Sequence, residues 1–233
     1  MTALSVHGLS VPIRQDEVSD VIWAALRDGS YEAKEARWAV AAARPGDRIL
    51  ELGAGIGVIT ALLAGVADVQ VWAYEADPAS AALARRVVAA NGRTNVSLRQ
   101  GILAAGGPRQ QTYYRRRDLW MSSLVEGQGP YDEVLQVTSE DVDEFLSRQP
   151  IDLLVMDIEG AELDLTAGAA LPGVERVFLE LHDHLYGLDG IQKITTQLAS
   201  KGFAYDPRGS RGACVLFSRN RDPREYEPEM SDG

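Results

Sequence analysis

With a single cysteine, Cys214, in 233 residues, the chain cannot close an internal disulfide. Its three histidines fall in no spacing with that cysteine that would hold zinc. A disulfide scaffold and a structural zinc site are thereby excluded, and a reducing, cytoplasmic setting is expected. Basic residues are also scarce: 23 Lys and Arg stand against 34 Asp and Glu, for a formal charge of -11. Such a chain repels phosphate backbones, which disfavours a nucleic-acid partner. Long apolar runs are missing as well. The nearest, Leu52 to Ala67, is broken by Gly53, Gly55, Gly57 and Gly65, and it falls short of the roughly 20 apolar residues that cross a bilayer. The opening MTALSVHGLSVPIRQ has no basic stretch followed by an apolar one, so neither a secretory signal nor a membrane association is expected.

What is present is the composition of a folded soluble protein, 45% hydrophobic and 24% charged, which excludes disorder and fibre. Short apolar, β-branched segments alternate with helical patterns, the signature of βα units around a parallel sheet. Strands are predicted at Arg48 to Leu52, Val69 to Glu75, Val96 to Gln100, Asp152 to Ile158, Arg176 to Leu181, Phe203 to Asp206 and Cys214 to Ser218. Helices are predicted at Ile56 to Val66, Pro78 to Ala90, Ser139 to Ser147, Ala161 to Ala169 and Gly190 to Lys201. Only Pro207 to Ala213 joins the last two strands. That is too short for a helical crossover, so the last strand should run antiparallel in an otherwise parallel sheet with helices on both faces. Helical periodicity at Asp16 to Leu26 and Tyr31 to Ala43 makes residues 1–45 an N-terminal helical cover; 46–218 form the main domain, and 219–233, nearly devoid of apolar residues, a disordered tail. Ala104 to Val137 has weak periodicity and is the least readable stretch.

The first predicted strand runs into Gly53-Ala54-Gly55-Ile56-Gly57 and then a helix, exposing backbone amides where a ligand can approach closely. The spacing is GxGxG, with Val58 where a dinucleotide fingerprint has its third glycine, which argues against NAD. Glu75 closes the next strand 22 residues after Gly53, and a carboxylate there can accept both hydroxyls of a ribose. Adenosine recognition is the common denominator.

ELGAGIG followed by YEAD resembles the first two motifs of class I S-adenosylmethionine-dependent methyltransferases. That resemblance implies a Rossmann-like fold with S-adenosyl-L-methionine as cofactor. It assigns Glu51, Gly53, Ala54, Gly55 and Gly57 to the first motif, Glu75 and Ala76 to the second, and Gly101 and Ile102 to the frame of the adenine. A Tyr-Glu pair, Tyr31-Glu32, stands where related enzymes fold over the cofactor, so Glu32 is a candidate for the methionine amine; an exposed first-turn acid capped by Ser30 is the alternative.

A second signature, IDLLVMDIEGAELD, puts Asp157, Glu159 and Glu162 after an apolar run, at the strand end where open α/β sheets bind ligands. Strand alternation would put Asp157 and Glu159 on one side; helix capping and solvation can account for Glu162. This DxEGxE pattern, followed by a strand ending Glu180-Leu181-His182, resembles the FkbM methyltransferases over roughly Arg48 to His182. Two departures are Val137-Thr138-Ser139-Glu140-Asp141 where the family usually has Thr-Leu-Asp, and GAGIG where GANIG is commoner. The resemblance implies methyl transfer to a hydroxyl of a polyketide, sugar or related small molecule. An alcohol needs a base, and the candidates are Asp157, Glu159 and His182. Carboxylates with imidazole can hold Mg²⁺ or Mn²⁺, but nothing in the spacing requires one and no metal is assigned. Thr112 to Leu124 gathers Tyr113, Tyr114, Trp120 and Arg115 to Arg117. It is either part of an acceptor site that binds an anion or an edge strand with solvated arginines. Two readings compete with a small-molecule enzyme: a methyltransferase of tRNA or protein, and a non-catalytic nucleotide-binding module. A homo-oligomer is left open.

Overall fold

The computed structural model describes residues 3–219. The chain opens with a hairpin, β1 (Leu4–Val6) and β2 (Leu9–Val11), that the helical reading of the N-terminus did not anticipate. Its turn residues His7 and Gly8 both have positive φ, 48° and 80°, the conformation whose twist matches paired strands. Helix α1 (Asp20–Asp28) begins four residues later than the periodicity suggested, because Ser19 accepts the Ile22 amide and so caps it. Helix α2 (Ala33–Ala42) follows.

The main sheet then builds through β3 (Arg48–Leu52), α3 (Val58–Leu63), β4 (Gln70–Glu75), α4 (Pro78–Ala90) and β5 (Val96–Gln100). A side excursion follows, β6 (Ile102–Ala104), β7 (Arg109–Arg115) and β8 (Glu133–Asp141), leading into α5 (Val142–Arg148). The sheet is completed by β9 (Leu153–Met156), α6 (Glu162–Gly168), β10 (Arg176–Glu180), α7 (Asp183–Ser200), β11 (Phe203–Arg211) and β12 (Cys214–Arg219). Its seven strands are ordered β11-β12-β10-β9-β3-β4-β5. Strand β12 is antiparallel to both neighbours, and the β10–β9–β3–β4–β5 pairings are all parallel, as the sequence predicts.

Burial on both faces explains the apolar runs of the central strands. On one face Leu50, Leu52, Leu154 and Met156 pack with Phe145 and Leu165. On the other, Ile49, Val71 and Leu153 pack with Ala36, Ala39 and Leu63. The hairpin and α1 cover the outside of α3 and α4 through Val6, Val11 and Ile22 against Val58 and Val87. Arg176, at the start of β10, ties the end of α2 to the sheet by donating to the Ala42 carbonyl and pairing with Asp47 at 2.6 Å.

Three sequence expectations shift. Residues Ser139 to Asp141, expected to open a helix, are strand: the Ser139 hydroxyl bonds the Arg109 backbone across the ladder, and Asp141 caps α5 by accepting the Glu144 amide at 2.9 Å. Pro207 to Ala213 is not a free connection, because β11 runs to Arg211 through a register break that the Ser210 hydroxyl bridges by taking the Leu216 amide. Helix α7 starts at Asp183 rather than Gly190, with a kink at Gly187. Of the expected tail, Arg219 ends β12 with its guanidinium on the carbonyls of Val174, Lys201 and Leu171; residues 220–233 lie outside the described residues.

Candidate active site

A cavity of about 280 Å³ opens at the carboxyl ends of β3, β4 and β9. Strand β3 has β4 on one side and β9 on the other, and this reversal of strand order is where open α/β sheets hold ligands. The glycine loop between β3 and α3 needs its glycines for space. A Cβ on Gly53 (φ 89°) would overlap the Asp157 carbonyl, and one on Gly57 would stand 2.7 Å from the Ala84 Cα. Ala54 is buried and donates its amide to the Tyr74 carbonyl at 3.0 Å. Gly55 faces Tyr31 and Glu32, whose nearest oxygens lie 3.6 Å from where its Cβ would be, at van der Waals contact.

Glu75 is held at the end of β4 by two backbone amides, Gly55 at 2.7 Å and Asp77 at 2.8 Å. The Gly55 amide is therefore spent on Glu75 rather than free for a ligand. Burial pushes the Glu75 carboxyl up to about 7 against the pull of those amides. Ala76, Gly101 and Ile102 line the same end of the cavity. Glu51 is 1% exposed, and neither of its carboxylate oxygens has a hydrogen-bond partner. Burial pushes it up to about 8 against the pull of the nearby Thr60 hydroxyl, with Glu75 and Asp157 adding repulsion. Glu32 opens α2 in a left-handed conformation (φ 48°), and burial beside Asp157, Glu35 and Glu51 drives its carboxyl well above the usual range. Ser30 is thus not the cap of α2, and Glu32 is turned to the cavity rather than to solvent.

The second signature makes a turn. Strand β9 ends at Met156, and Glu159 (φ 51°) and Gly160 (φ 100°) reverse the chain into α6. Asp157 and Glu159 both line the cavity, brought there by that left-handed turn and not by strand alternation. Glu162 is the device that holds the turn: fully buried, it accepts the amides of Ile158 at 3.0 Å and Gly160 at 2.9 Å. A solvated capping acid is the wrong description of it. His182, only 4% exposed, sits behind the turn with Nε2 3.4 Å from Asp157 and 3.6 Å from Glu159, and Nδ1 3.2 Å from Glu162. Burial favours the neutral ring, but the close carboxylates of Asp157, Glu159 and Glu162 outweigh it, and His182 holds its proton far above the usual range. Burial raises Asp157 too, offset in part by His182. His182 does not line the cavity.

The facing wall comes from the stretch the sequence left unread. Strands β6, β8 and β7 form a separate sheet in that order, and with the turn after β7 they bring Gln111, Tyr113, Ser122 and Ser123 to the cavity. Gln128, also unforeseen, bridges Ser123 at 2.5 Å and Glu159 at 2.9 Å. Of the expected aromatic set, Tyr113 lines the cavity and Tyr114 packs on Tyr131; the Trp120 side chain lies outside what the structure describes. Nor do Arg115 and Arg116 wait for an anion. Arg115 pairs with Asp77 at 3.2 Å and Glu133 at 3.0 Å, and Arg116, 3% exposed, is enclosed by backbone carbonyls.

Fold, glycine loop and the acid that ends β4 together match a class I methyltransferase architecture. The model of the methyltransferase FkbM domain matches residues 51–205, and the chain belongs to that family. Two protein-L-isoaspartate O-methyltransferases are similar over short stretches. That of Anaeromyxobacter dehalogenans (strain 2CP-C) is 44% identical over 71 residues, 30% of this chain and 34% of its own. That of Methylorubrum extorquens (strain PA1) is 52% identical over 67 residues, 29% and 28% of the two chains. The chain thus spans about a third of the curated relatives it matches. Among solved structures, a methyltransferase from Pyrococcus furiosus aligns with TM-score 0.50 and 15% identity, covering 93% of this chain and 92% of that one. Trm5b from Pyrococcus abyssi aligns with TM-score 0.53 and 15% identity over 91% and 54%. At such identity these two likenesses speak for the fold. Among the described residues no helix is long and apolar enough to cross a membrane.

Membership of that family makes S-adenosyl-L-methionine the molecule to set against the site, and the residues present fit it. Glu51, buried beside the loop with no aligned partner for its carboxyl oxygens, is a group that a cofactor carrying an ammonium and a sulfonium would draw into its ionised form. The lack of a side chain at Gly55 leaves room beside Tyr31 and Glu32, and Glu75 keeps free lone pairs for hydroxyls.

Proposed function

We propose that the enzyme transfers the methyl group to a neutral hydroxyl of a small molecule or sugar. The observation that carries this reading is the pair of carboxylates, Asp157 and Glu159, at the cavity wall beside the glycine loop. A carboxylate acceptor, such as the isoaspartate in the names of the partial relatives, needs no base and would be repelled there. A hydroxyl needs a base and finds one. The cofactor supplies an electrophilic methyl group on a sulfonium. Asp157 accepts the hydroxyl proton at its cavity-facing oxygen; its raised pKa makes it a stronger base than a free carboxylate. Glu159 is oriented by the Gln128 amide, and His182 acts as a fixed cation that positions both carboxylates rather than as the base. Glu51, Glu32 and Glu75 hold the cofactor's charged and hydroxylated ends.

The test is methyl transfer from labelled cofactor to three acceptor sets: hydroxylated small molecules, an isoaspartyl peptide and bulk tRNA. Labelling within the first set, lost in Asp157→Asn while S-adenosylhomocysteine still raises the melting temperature, is expected. Labelling of the peptide or the RNA alone overturns the acceptor assignment, and cofactor binding without labelling of any set favours a binding module.

A further inference from the structure

We propose that His7, at the tip of the N-terminal hairpin, is a positioning residue for the cofactor: it holds the Tyr31-Glu32 segment over the glycine loop and so sets affinity for the cofactor's amino acid end. The proposal rests on the reading that Glu32 meets that charged end. His7 does not line the cavity, whereas Tyr31 and Glu32 do. Its ring Nε2 lies 2.6 Å from the Tyr31 carbonyl, 24 residues away in the chain. A carbonyl only accepts, so Nε2 carries the proton and donates it. The Tyr31 amide is held from another direction, donating to the Ala25 carbonyl of α1 at 3.2 Å. The Tyr31 carbonyl belongs to the rigid peptide plane that enters Glu32, so fixing it fixes the left-handed φ of 48° from which the Glu32 carboxyl turns to the cavity.

Two further observations make the hairpin a strap. The first is its anchorage on the far side. The Ser10 amide donates to Asn91 Oδ1 at 2.9 Å, and the Asn91 Nδ2 donates back to the Ser10 carbonyl at 2.8 Å. Arg86 of α4 donates to the Pro12 carbonyl and pairs with Glu17 at 2.6 Å. Helix α4 and its cap thus fix the strands, and the tip carries that fixation to the segment above the cavity. The second is the residue at the tip. His7 and Gly8 have φ of 48° and 80°, a turn in which asparagine before glycine is the favoured pair. A histidine there departs from the best turn residue, and reach accounts for it, since Nε2 of an imidazole stands farther from the backbone than an asparagine amide. Val6 and Val11 already pack in one apolar cluster with Tyr31 and Ile56. Packing of that kind places the ring of Tyr31, whereas the directional bond from His7 orients its carbonyl.

Comparison of His7→Asn with His7→Gln tests the proposal. Asparagine suits the left-handed turn and lacks the reach; glutamine brings an amide nitrogen close to where Nε2 stands, on a less favoured backbone. A residue that served the turn alone would rank asparagine above glutamine, and the positioning role reverses that order. Calorimetry with S-adenosylhomocysteine should give an affinity about fivefold lower in His7→Asn, the scale of one net hydrogen bond, and within about twofold of wild type in His7→Gln. 5′-Methylthioadenosine, which keeps the adenosine and lacks the amino acid, should bind all three proteins alike. Without ligand, hydrogen exchange across 31–36 should be faster in His7→Asn than in wild type or His7→Gln. Equal losses for the two ligands, wild-type affinity for S-adenosylhomocysteine in His7→Asn, or unchanged exchange across 31–36 overturns the proposal. If the wild type binds neither ligand, the cofactor reading has failed instead, and exchange in the ligand-free variants alone decides the strap.

Discussion

The wall of the cleft that carries the glycine loop hangs from β3, β4 and β9, strands buried on both faces, whereas the wall opposite hangs from β7, β8 and the turn between them. In the first, backbone ladders and close packing fix the site: Gly53 lies against the Asp157 carbonyl, and Asp157 donates its amide to Leu52 at 3.0 Å. In the second, one cation does much of the holding. The Arg116 guanidinium donates to the carbonyls of Tyr114, Met121, Val125, Glu126 and Gly129 at 3.0 to 3.3 Å. That wall also leaves Met121, Tyr131 and Val134 exposed. The cofactor side is thus prebuilt by the sheet, and the acceptor side depends on a few side-chain bonds, which makes it the region expected to open locally at lower free energy.

The sharpest break in the comparison is Gly53→Ala. The added Cβ meets a backbone carbonyl at a left-handed position, with no flexible side chain to yield. It should cost roughly 3 kcal/mol or more, read as loss of the folded transition or a large drop in melting temperature; a near-native melting curve would refute the rigidity claimed for this wall. Next, Glu75→Ala should weaken S-adenosylhomocysteine binding by about 100-fold, or about 2.7 kcal/mol, with the facing wall unaffected. Calorimetry showing less than a threefold loss removes Glu75 from cofactor binding. On the other side, Arg116→Met strips the carbonyls of their donor, at a cost of roughly 2 kcal/mol. Hydrogen exchange should accelerate across 114–129 while cofactor affinity stays within about twofold. Unchanged exchange there would show that the arginine is not what holds the wall.

The same contrast governs what could be read from the residues. Apolar runs, the GxGxG spacing and Glu75 are local patterns tied to strands, and they announced the sheet and the wall that carries the glycine loop. The DxEGxE pattern announced chemistry but not geometry: Glu162 turned out to be the hidden strut of the turn, and Asp157 and Glu159 converge through a left-handed residue that strand periodicity cannot foresee. Ser123 and Gln128 carried no signal of their own, since their meaning comes from which loop lies beside them in space. The arginine-rich stretch misled for a physical reason. A guanidinium satisfied by backbone carbonyls looks, in sequence, the same as one awaiting an anion.

A smaller effect is the pH dependence of the cofactor wall. Glu51, pushed up to about 8, and Glu75, pushed up to about 7, keep their protons in the folded state at pH values where the unfolded chain, near 4.5, has lost them. The contribution of these two acids to stability without ligand is therefore full below about 4.5 and is lost as pH rises through 7 to 8. A cationic cofactor favours the ionised carboxylates, so the melting shift given by S-adenosylmethionine should grow between pH 6 and pH 9 on the order of a few degrees. A shift independent of pH, or one that Glu51→Gln leaves unaltered, would detach these acids from cofactor charge.

The smallest expected effect sits where the two walls touch. Arg115 reaches from β7 to Asp77, the cap of α4, and so joins the acceptor wall to the loop that carries Glu75. Asp77 is almost fully buried and Arg115 is 33% exposed, so screening trims the pair from one side only, and a coupling of about 1 kcal/mol is reasonable. Replacing the aspartate outright would confuse the measurement, because its side chain also accepts the Ala79 amide at 2.9 Å. Asp77→Asn keeps an oxygen for that cap and removes the charge. In the double-mutant cycle with Arg115→Met, the two losses should fail to add by about 1 kcal/mol in thermal stability. Exchange across 114–129 should rise in Arg115→Met alone as well, though less than in Arg116→Met. Strict additivity would mean that the walls fold as independent units in spite of the Arg115–Asp77 pair that reaches from one to the other.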